Sequence, residues 1–286
     1  MSTQVSAAAP RITALTVYPV KGCRGITLTR ASTMVTGLAH SHLRDREWMV
    51  VDRRGHFVTQ REYPRLALIQ PDLAGDALRL SVDGAAALDV PLVASGVSRE
   101  VVVWRFGARA FDQGEAAAAW LSGFLRADVR LVRFDTASPR RCNPDYVADS
   151  GAHTLFSDGY PILVIGAASL DDLNARLAAK GASALPMNRF RPNVVVTGLP
   201  PYEEDHLDTL TSGEVTLRLV KPCTRCQVTT TDQTTARVGI EPLPTLSTYR
   251  RNDALAGVTF GMNAIVVAGA GRSLAVDAPV AVEYRF

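Results

Sequence analysis

The sequence predicts an α+β, β-rich fold, with a small barrel-like first domain followed by a second β-barrel-type domain carrying a few packed helices. Three observations lead there. The first hundred residues are a succession of short β-type runs broken by turn signals, and their regular spacing favours a barrel or sandwich over βαβ units. Beyond residue 135 the apolar runs are again mostly of strand type. Only two segments show helical spacing, and 286 residues suffice for one large or two modest domains.

In chain order, Ile12 to Tyr18 alternates and stops at Pro19, and Trp48 to Val51 follows a charged cluster. Arg53-Arg54-Gly55 reads as a turn into His56 to Thr59, and Leu66 to Ile69, Leu78 to Val82 and Leu88 to Leu92 continue the strand pattern. Glu115 to Leu125 places Trp120, Leu121 and Phe124 at helical spacing, and Val129 to Phe134 is a strand. The polar, proline-containing stretch Asp135 to Pro144 is the expected domain boundary. This divides the chain into a loose tail over residues 1–10, a first domain over 11–134 and a second over 135–286. In the second, Ser169 to Lys180 reads as a helix with Ser169 as N-cap, Leu170, Leu173 and Leu177 on one face, and Gly181 at its end. Ile162 to Ile165, Val194 to Val196, Val215 to Val220, Ala264 to Ala268 and Val280 to Tyr284 complete the strands. The aromatic and leucine stripes of both helices are core, and the sequence contains no internal repeat.

Composition excludes several classes. A 47% hydrophobic, 21% charged chain can build a real core. Net charge is +3 with no basic run, which argues against nucleic acid. No apolar stretch approaches the ~20 residues of a membrane helix. The first ten residues have neither the charged start nor the apolar core of an export signal, so the expectation is a cytoplasmic protein without membrane association.

The most informative segment is Lys221-Pro222-Cys223-Thr224-Arg225-Cys226, two thiols three residues apart with Arg225 and Lys221 beside them. Nearby cations favour the thiolate, which is both nucleophile and soft metal ligand. Buried cysteines are often inert, but the cations and flanking β-type runs favour a functional thiol here. A closed zinc site commonly uses two such pairs, and Cys23 and Cys142 are isolated, so it would need all four thiols to converge in space. A thioredoxin-like pair would open a helix, whereas Val228 to Thr231 is β-branched and expected to be a strand. A structural disulfide lacks an oxidising compartment. Further polar clusters stand at Tyr18 to Gly25, Leu43 to Arg46 and Met187 to Asn193. Singly each reads as a solvated loop; together Lys21, Arg46, Arg189, Arg191 and Asn193 offer the charges and fork donors that bind phosphate.

At these residues the chain resembles the MOSC-domain proteins that carry an N-terminal β-barrel domain, a subgroup that includes the mitochondrial amidoxime-reducing components. The resemblance lies in Tyr18-Pro19-Val20-Lys21, Arg44-Asp45-Arg46, Ser157 to Pro161, Asn188 to Asn193, Pro222 to Cys226, Pro242 to Leu246 with Tyr249-Arg250, and Phe260 to Asn263. It covers nearly the whole chain in one order. It implies a molybdenum cofactor, with Cys226 as metal ligand and catalytic residue and Cys223 as a neighbour that is not a ligand. Lys21, Arg46, Arg191, Asn193 and Thr224 align with positions that hold the pterin and its phosphate, and Gly159 and Tyr160 with further contacts. Gly22 stands where relatives often carry serine, leaving at most a backbone contact. Asp232 to Thr235 lacks the usual proline and glycine, and Ala275 to Pro279 lacks a glycine.

The implied activity is reduction of N-hydroxylated compounds such as amidoximes, hydroxylamines or hydroxylamino-purines. With no G-x-G-x-x-G and no haem-type C-x-x-C-H, electrons are expected from a separate flavin, haem or iron–sulfur protein. The alternatives are a sulfur carrier, as in the C-terminal domain of molybdenum cofactor sulfurase, and a cofactor-binding module without turnover.

Overall fold

The alternating stretch near the N-terminus forms the strand Arg11–Val17 in this computed structural model, which describes residues 9–93 and 95–285. Of the expected tail over residues 1–10, residues 1–8 lie outside the described residues. A register shift between Ile12 and Ala14 marks a β-bulge, so Ile12, Leu15 and Val17 all reach the core although their spacing is not uniform. This strand pairs antiparallel with Val194–Thr197 on one edge and Ile26–Leu28 on the other. Val194–Thr197 runs parallel to Ile162–Gly166, which pairs with the long strand Gly257–Ala268. Val215–Thr224, Leu207–Ser212 and Ala281–Tyr284 follow, within a nine-stranded sheet. Val164, Val194, Leu217 and Met262 are fully buried over it, each worth roughly 1.5–3 kcal/mol of burial.

A four-stranded antiparallel sheet, Ser98–Val103, Phe106–Asp112, Val129–Phe134 and Trp48–Asp52, builds the second core. Helix Glu115–Leu125 seals it with Ala117, Leu121 and Leu125 against Trp48 and Leu131. The fold is therefore strand-rich α+β, as the sequence predicts. Two strand pairs cross the boundary expected at residues 134–135. Arg11–Val17 joins Val194–Thr197, and Ser273–Ala275 joins Arg30–Met34.

Several elements differ from expectation. Leu66 to Ile69 is no strand: Pro64–Leu68 is a 3-10 turn, and Leu66 and Ile69 are buried at helical spacing. The second long helix spans Ala167–Ala179 with Gly166 as N-cap, and Ser169 lies inside it. The Glu204 carboxylate accepts from Gly166 N (3.0 Å) and Ser169 Oγ (2.8 Å), anchoring the helix start from outside. Among the described residues no helix is long and apolar enough to cross a membrane.

Candidate functional site

Where strand Arg11–Val17 ends, Tyr18 to Gly22 turns inward and is clamped by the segment after Arg44. Arg46 N donates to Tyr18 O (2.6 Å), Trp48 N to Pro19 O (3.0 Å) and Lys21 N to Trp48 O (2.8 Å). Arg46 (φ 50°) and Arg191 (φ 57°) both occupy left-handed backbone, which non-glycine residues avoid at a cost of about 1–2 kcal/mol. Such strain persists only where surrounding contacts over-determine it, here for two cations of one cluster.

One pocket of ≈ 170 Å³ is lined by residues from both halves of the chain, and the expected site residues Lys21, Gly22, Arg46, Gly159, Tyr160, Arg191, Asn193, Thr224 and Cys226 are among them. Arg189 is not: its guanidinium turns to Thr230 O (2.8 Å) and Asp232 Oδ2 (3.1 Å). Arg46 pairs with the buried carboxylate of Asp45 and donates to Asn193 Oδ1 at 3.0 Å. Arg191 is buried, and its side chain's one polar partner among the described residues is Gln233 Oε1 at 3.2 Å. Both guanidinium centres stand 4.4 Å from the Tyr18 ring centroid. Burial pulls the Arg191 pKa below its ordinary value, with the neighbouring Arg46 charge adding to that. Lys21 donates to Phe156 O (2.8 Å) and to Asp158; burial lowers its pKa and Asp158 opposes the shift. The site therefore concentrates positive charge away from water, a cost that an anionic ligand would offset.

Asn193 plays a different part from the cations. Its Oδ1 accepts from Arg46 and from Leu163 N (3.1 Å), while Nδ2 donates to Thr16 O (3.0 Å) and Asp45 Oδ1 (2.9 Å). All four hydrogen-bonding sites of the amide are used within the protein, so Asn193 orients Arg46. Gly22 holds φ 85°, where a serine would be strained, and its carbonyl accepts Gln60 Nε2 at 2.6 Å. Gly159 faces open space: a Cβ there would meet nothing within 4 Å. Two buried hydroxyls on the pocket wall, Ser157 Oγ and Tyr160 OH, have no hydrogen-bond partner among the described residues. Buried polar groups without partners are rare, and these fit polar ligand contacts.

Thr224 ends the strand Val215–Thr224, and Cys223 within it and Cys226 just beyond it both line the pocket. Cys226 is exposed and Cys223 partly buried. The expectation of cations around a reactive thiol is met at the neighbour: Arg225 Nη1 lies 2.9 Å from Cys223 Sγ, and its Nη2 donates to Phe190 O. Lys221 stands over the Tyr146 ring, 4.7 Å from its centroid. The expected strand Val228 to Thr231 is instead a 3-10 turn, Gln227–Thr230. Thr229 and Thr230 donate their hydroxyls to the carbonyls three residues back, at 2.9 and 2.8 Å, an option that competes with sheet pairing. An exposed thiol sharing one pocket with Lys21, Arg46 and Arg191 and with the hydroxyls of Ser157 and Tyr160 suits a phosphorylated, metal-bearing ligand.

Sequence reasoning named no role for Asp158, Trp104, Arg61, Gln60 or Gln233, all of which build this site. Trp104 sits at the tip of the hairpin Ser98–Val103 and Phe106–Asp112, with φ 57°, and donates its indole N–H to Asp158 Oδ1 at 3.0 Å. The missing glycine and proline after Asp232 had marked that turn as unusual. The Asp232 carboxylate makes it, accepting from Thr234 N and Thr235 N at 2.9 and 2.8 Å, and buried Gln233 reaches Gln60 and Arg191.

Residues 9–128 match the family described as MOSC N-terminal beta barrel domain, and residues 152–281 match the MOSC domain. The chain is 36% identical over 248 residues to Mitochondrial amidoxime reducing component 2 of Bos taurus, covering 85% of this chain and 73% of that protein. It is 38% identical over 247 residues to Mitochondrial amidoxime-reducing component 1 of Homo sapiens, covering 84% and 72%.

Proposed function

The chain belongs to the MOSC-domain family, in the branch with an N-terminal MOSC β-barrel domain, and on that premise we propose that it reduces N-hydroxylated compounds with a molybdenum cofactor. The observation that carries this reading is convergence. Cys226 and the cations Lys21, Arg46 and Arg191, up to 205 positions apart in sequence, line one pocket. Arg46, Arg191 and Lys21 would hold the cofactor's phosphate, with Asn193 fixing the direction of Arg46. Thr224, the backbone around Gly22 and Gly159, and the free hydroxyls of Ser157 and Tyr160 would hold the pterin. Cys226 would ligate the metal as a thiolate.

When bound, that cofactor supplies oxygen acceptance from the substrate and the redox change that goes with it. The balance is two electrons and two protons per N–O bond cleaved, with the oxygen leaving as water. Electrons would come from a separate flavin, haem or iron–sulfur protein. The test is metal and pterin analysis of protein made in a molybdenum-cofactor-competent host, followed by oxidation of a reduced viologen dye on addition of benzamidoxime. Stoichiometric molybdenum with substrate-dependent dye oxidation is expected. Tight cofactor binding without turnover, or a transferable persulfide on Cys226, would replace the reductase reading with storage or sulfur carriage.

A further inference from the structure

Asp158 is the sole carboxylate among the described residues lining a pocket that also carries Lys21, Arg46, Arg61, Arg191 and Arg225. Its two side-chain contacts, Lys21 Nζ and Trp104 Nε1, both fall on Oδ1, and Oδ2 has no partner among the described residues. A carboxylate offers about four lone-pair sites, so roughly half of this one remains open. The side chain is 69% exposed, yet its position is fixed from three directions. Buried Arg140 donates to Ser157 O (2.7 Å) and Asp158 O (2.9 Å), holding the backbone behind it. Lys21 and Trp104 hold the carboxylate in front. Trp104 is itself braced, with the Arg61 guanidinium 4.6 Å over its ring and Phe57 at 5.1 Å. Its backbone accepts left-handed strain, uncommon for a bulky aromatic, to place the indole there.

With Oδ1 taken by Lys21 and Trp104, the open Oδ2 of a rigidly held carboxylate on a pocket wall suits a further donor-bearing cation. Resting on the reductase reading, we propose that Asp158 is a specificity-determining residue that accepts N–H groups from amidine-type substrates and products, with Trp104 as the positioning residue that aims it. Reduction of an amidoxime yields an amidine, which takes up a further proton and becomes a planar amidinium. Its N–H groups match a carboxylate edge through charge-assisted hydrogen bonds. The neutral hydroxylamino-purines and their amino products lack that charge, so Asp158 favours amidinium products and protonated N-hydroxyguanidines over the purine series.

Binding to the purified full chain tests this without turnover, by calorimetry with three probes: benzamidinium, neutral benzamide and benzyltrimethylammonium, a cation without N–H donors. In Asp158→Asn, benzamidinium affinity is expected to fall at least about tenfold, the scale of one lost charge-assisted bond. Benzamide should be unchanged and benzyltrimethylammonium should weaken far less. Trp104→Phe, which keeps a ring but loses the N–H, should weaken benzamidinium in the same direction with benzamide unchanged. Equal weakening of both cations in Asp158→Asn would reduce the effect to net charge and overturn the contact, as would benzamidinium binding unaffected by the substitution. Selective, Asp158-dependent binding by a protein that never reduces benzamidoxime would count against the reductase reading and leave this recognition site standing.

Discussion

At the scale of single residues, the four thiols are separated by burial. Cys23 is fully buried and its thiol is pushed up to about 12; Cys142 is pushed up to about 11, also by burial, with Arg140 opposing. Neither is a nucleophile near neutral pH. Cys226 is exposed on the pocket, and the Arg225 contact belongs to Cys223. Cys226→Ser is therefore expected to abolish molybdenum retention and the metal–thiolate absorption, because a hydroxyl is a harder and far less acidic ligand. Cys223→Ser should retain most of both. Equal loss in the two variants, with the fold intact, would falsify Cys226 as sole protein ligand. Cys23 also sets a pH dependence. An unfolded thiol releases its proton near about 8.5, while folded Cys23 keeps it until about 12. Between those values the unfolded state binds fewer protons, so stability is intact below the window and falls as pH rises through it. Melting temperatures from pH 8 to 11 should decline less steeply in Cys23→Ala than in the native chain, whatever the offset from the lost side chain.

At the scale of elements, the site depends on how strand ends are tied together. Asn193 links Thr16 on one strand, Leu163 on another and the Asp45–Arg46 turn through one amide. Asn193→Ala would leave buried donors and acceptors unpaired, at a cost of about 2–4 kcal/mol. The expected result is a lower urea midpoint together with weaker cofactor retention, since Arg46 loses its orienting partner. Retention lost without any stability change would mean that Asn193 touches the ligand directly. What the sequence made legible follows the same logic. Strands Arg11–Val17 and Val129–Phe134 and helix Glu115–Leu125 stand within a residue or two of their expected bounds because periodicity records burial, whereas expected strand His56 to Thr59 forms only isolated bridges. The hairpin Ser98–Val103 and Phe106–Asp112 was not read, because charged Arg99 and Asp112 share the face of Val101, Val103, Ala108 and Ala110 while apolar Val102, Phe106 and Phe111 lie off it, which blurs the alternation. Missing that hairpin meant missing Trp104, and with it Asp158. The pocket's cations were legible only by resemblance, since nothing in their spacing shows that residues 21, 46 and 191 meet.

At the scale of the whole molecule, the first and last parts of the chain exchange strands, and the pocket is built across that exchange. Arg191 lies at its centre as a buried cation with Gln233 for a partner and the like charge of Arg46 beside it. In the empty protein this arrangement costs stability, because a desolvated guanidinium without a carboxylate is poorly compensated. Occupied by a phosphate-bearing ligand, the same guanidinium contributes binding, and any ligand that binds only the folded state raises stability by mass action, about 2.7 kcal/mol at a hundredfold excess over its Kd. Arg191→Ala should therefore act with opposite sign in the two states. Cofactor-free protein is expected to melt at the native temperature or slightly above it, while the rise on cofactor loading shrinks markedly and molybdenum content falls. Differential scanning calorimetry of paired cofactor-free and cofactor-loaded samples reads both. A variant that melts several degrees low when cofactor-free would mean that Arg191 is chiefly a structural brace against Tyr18, and a full loading shift would remove it from the phosphate site.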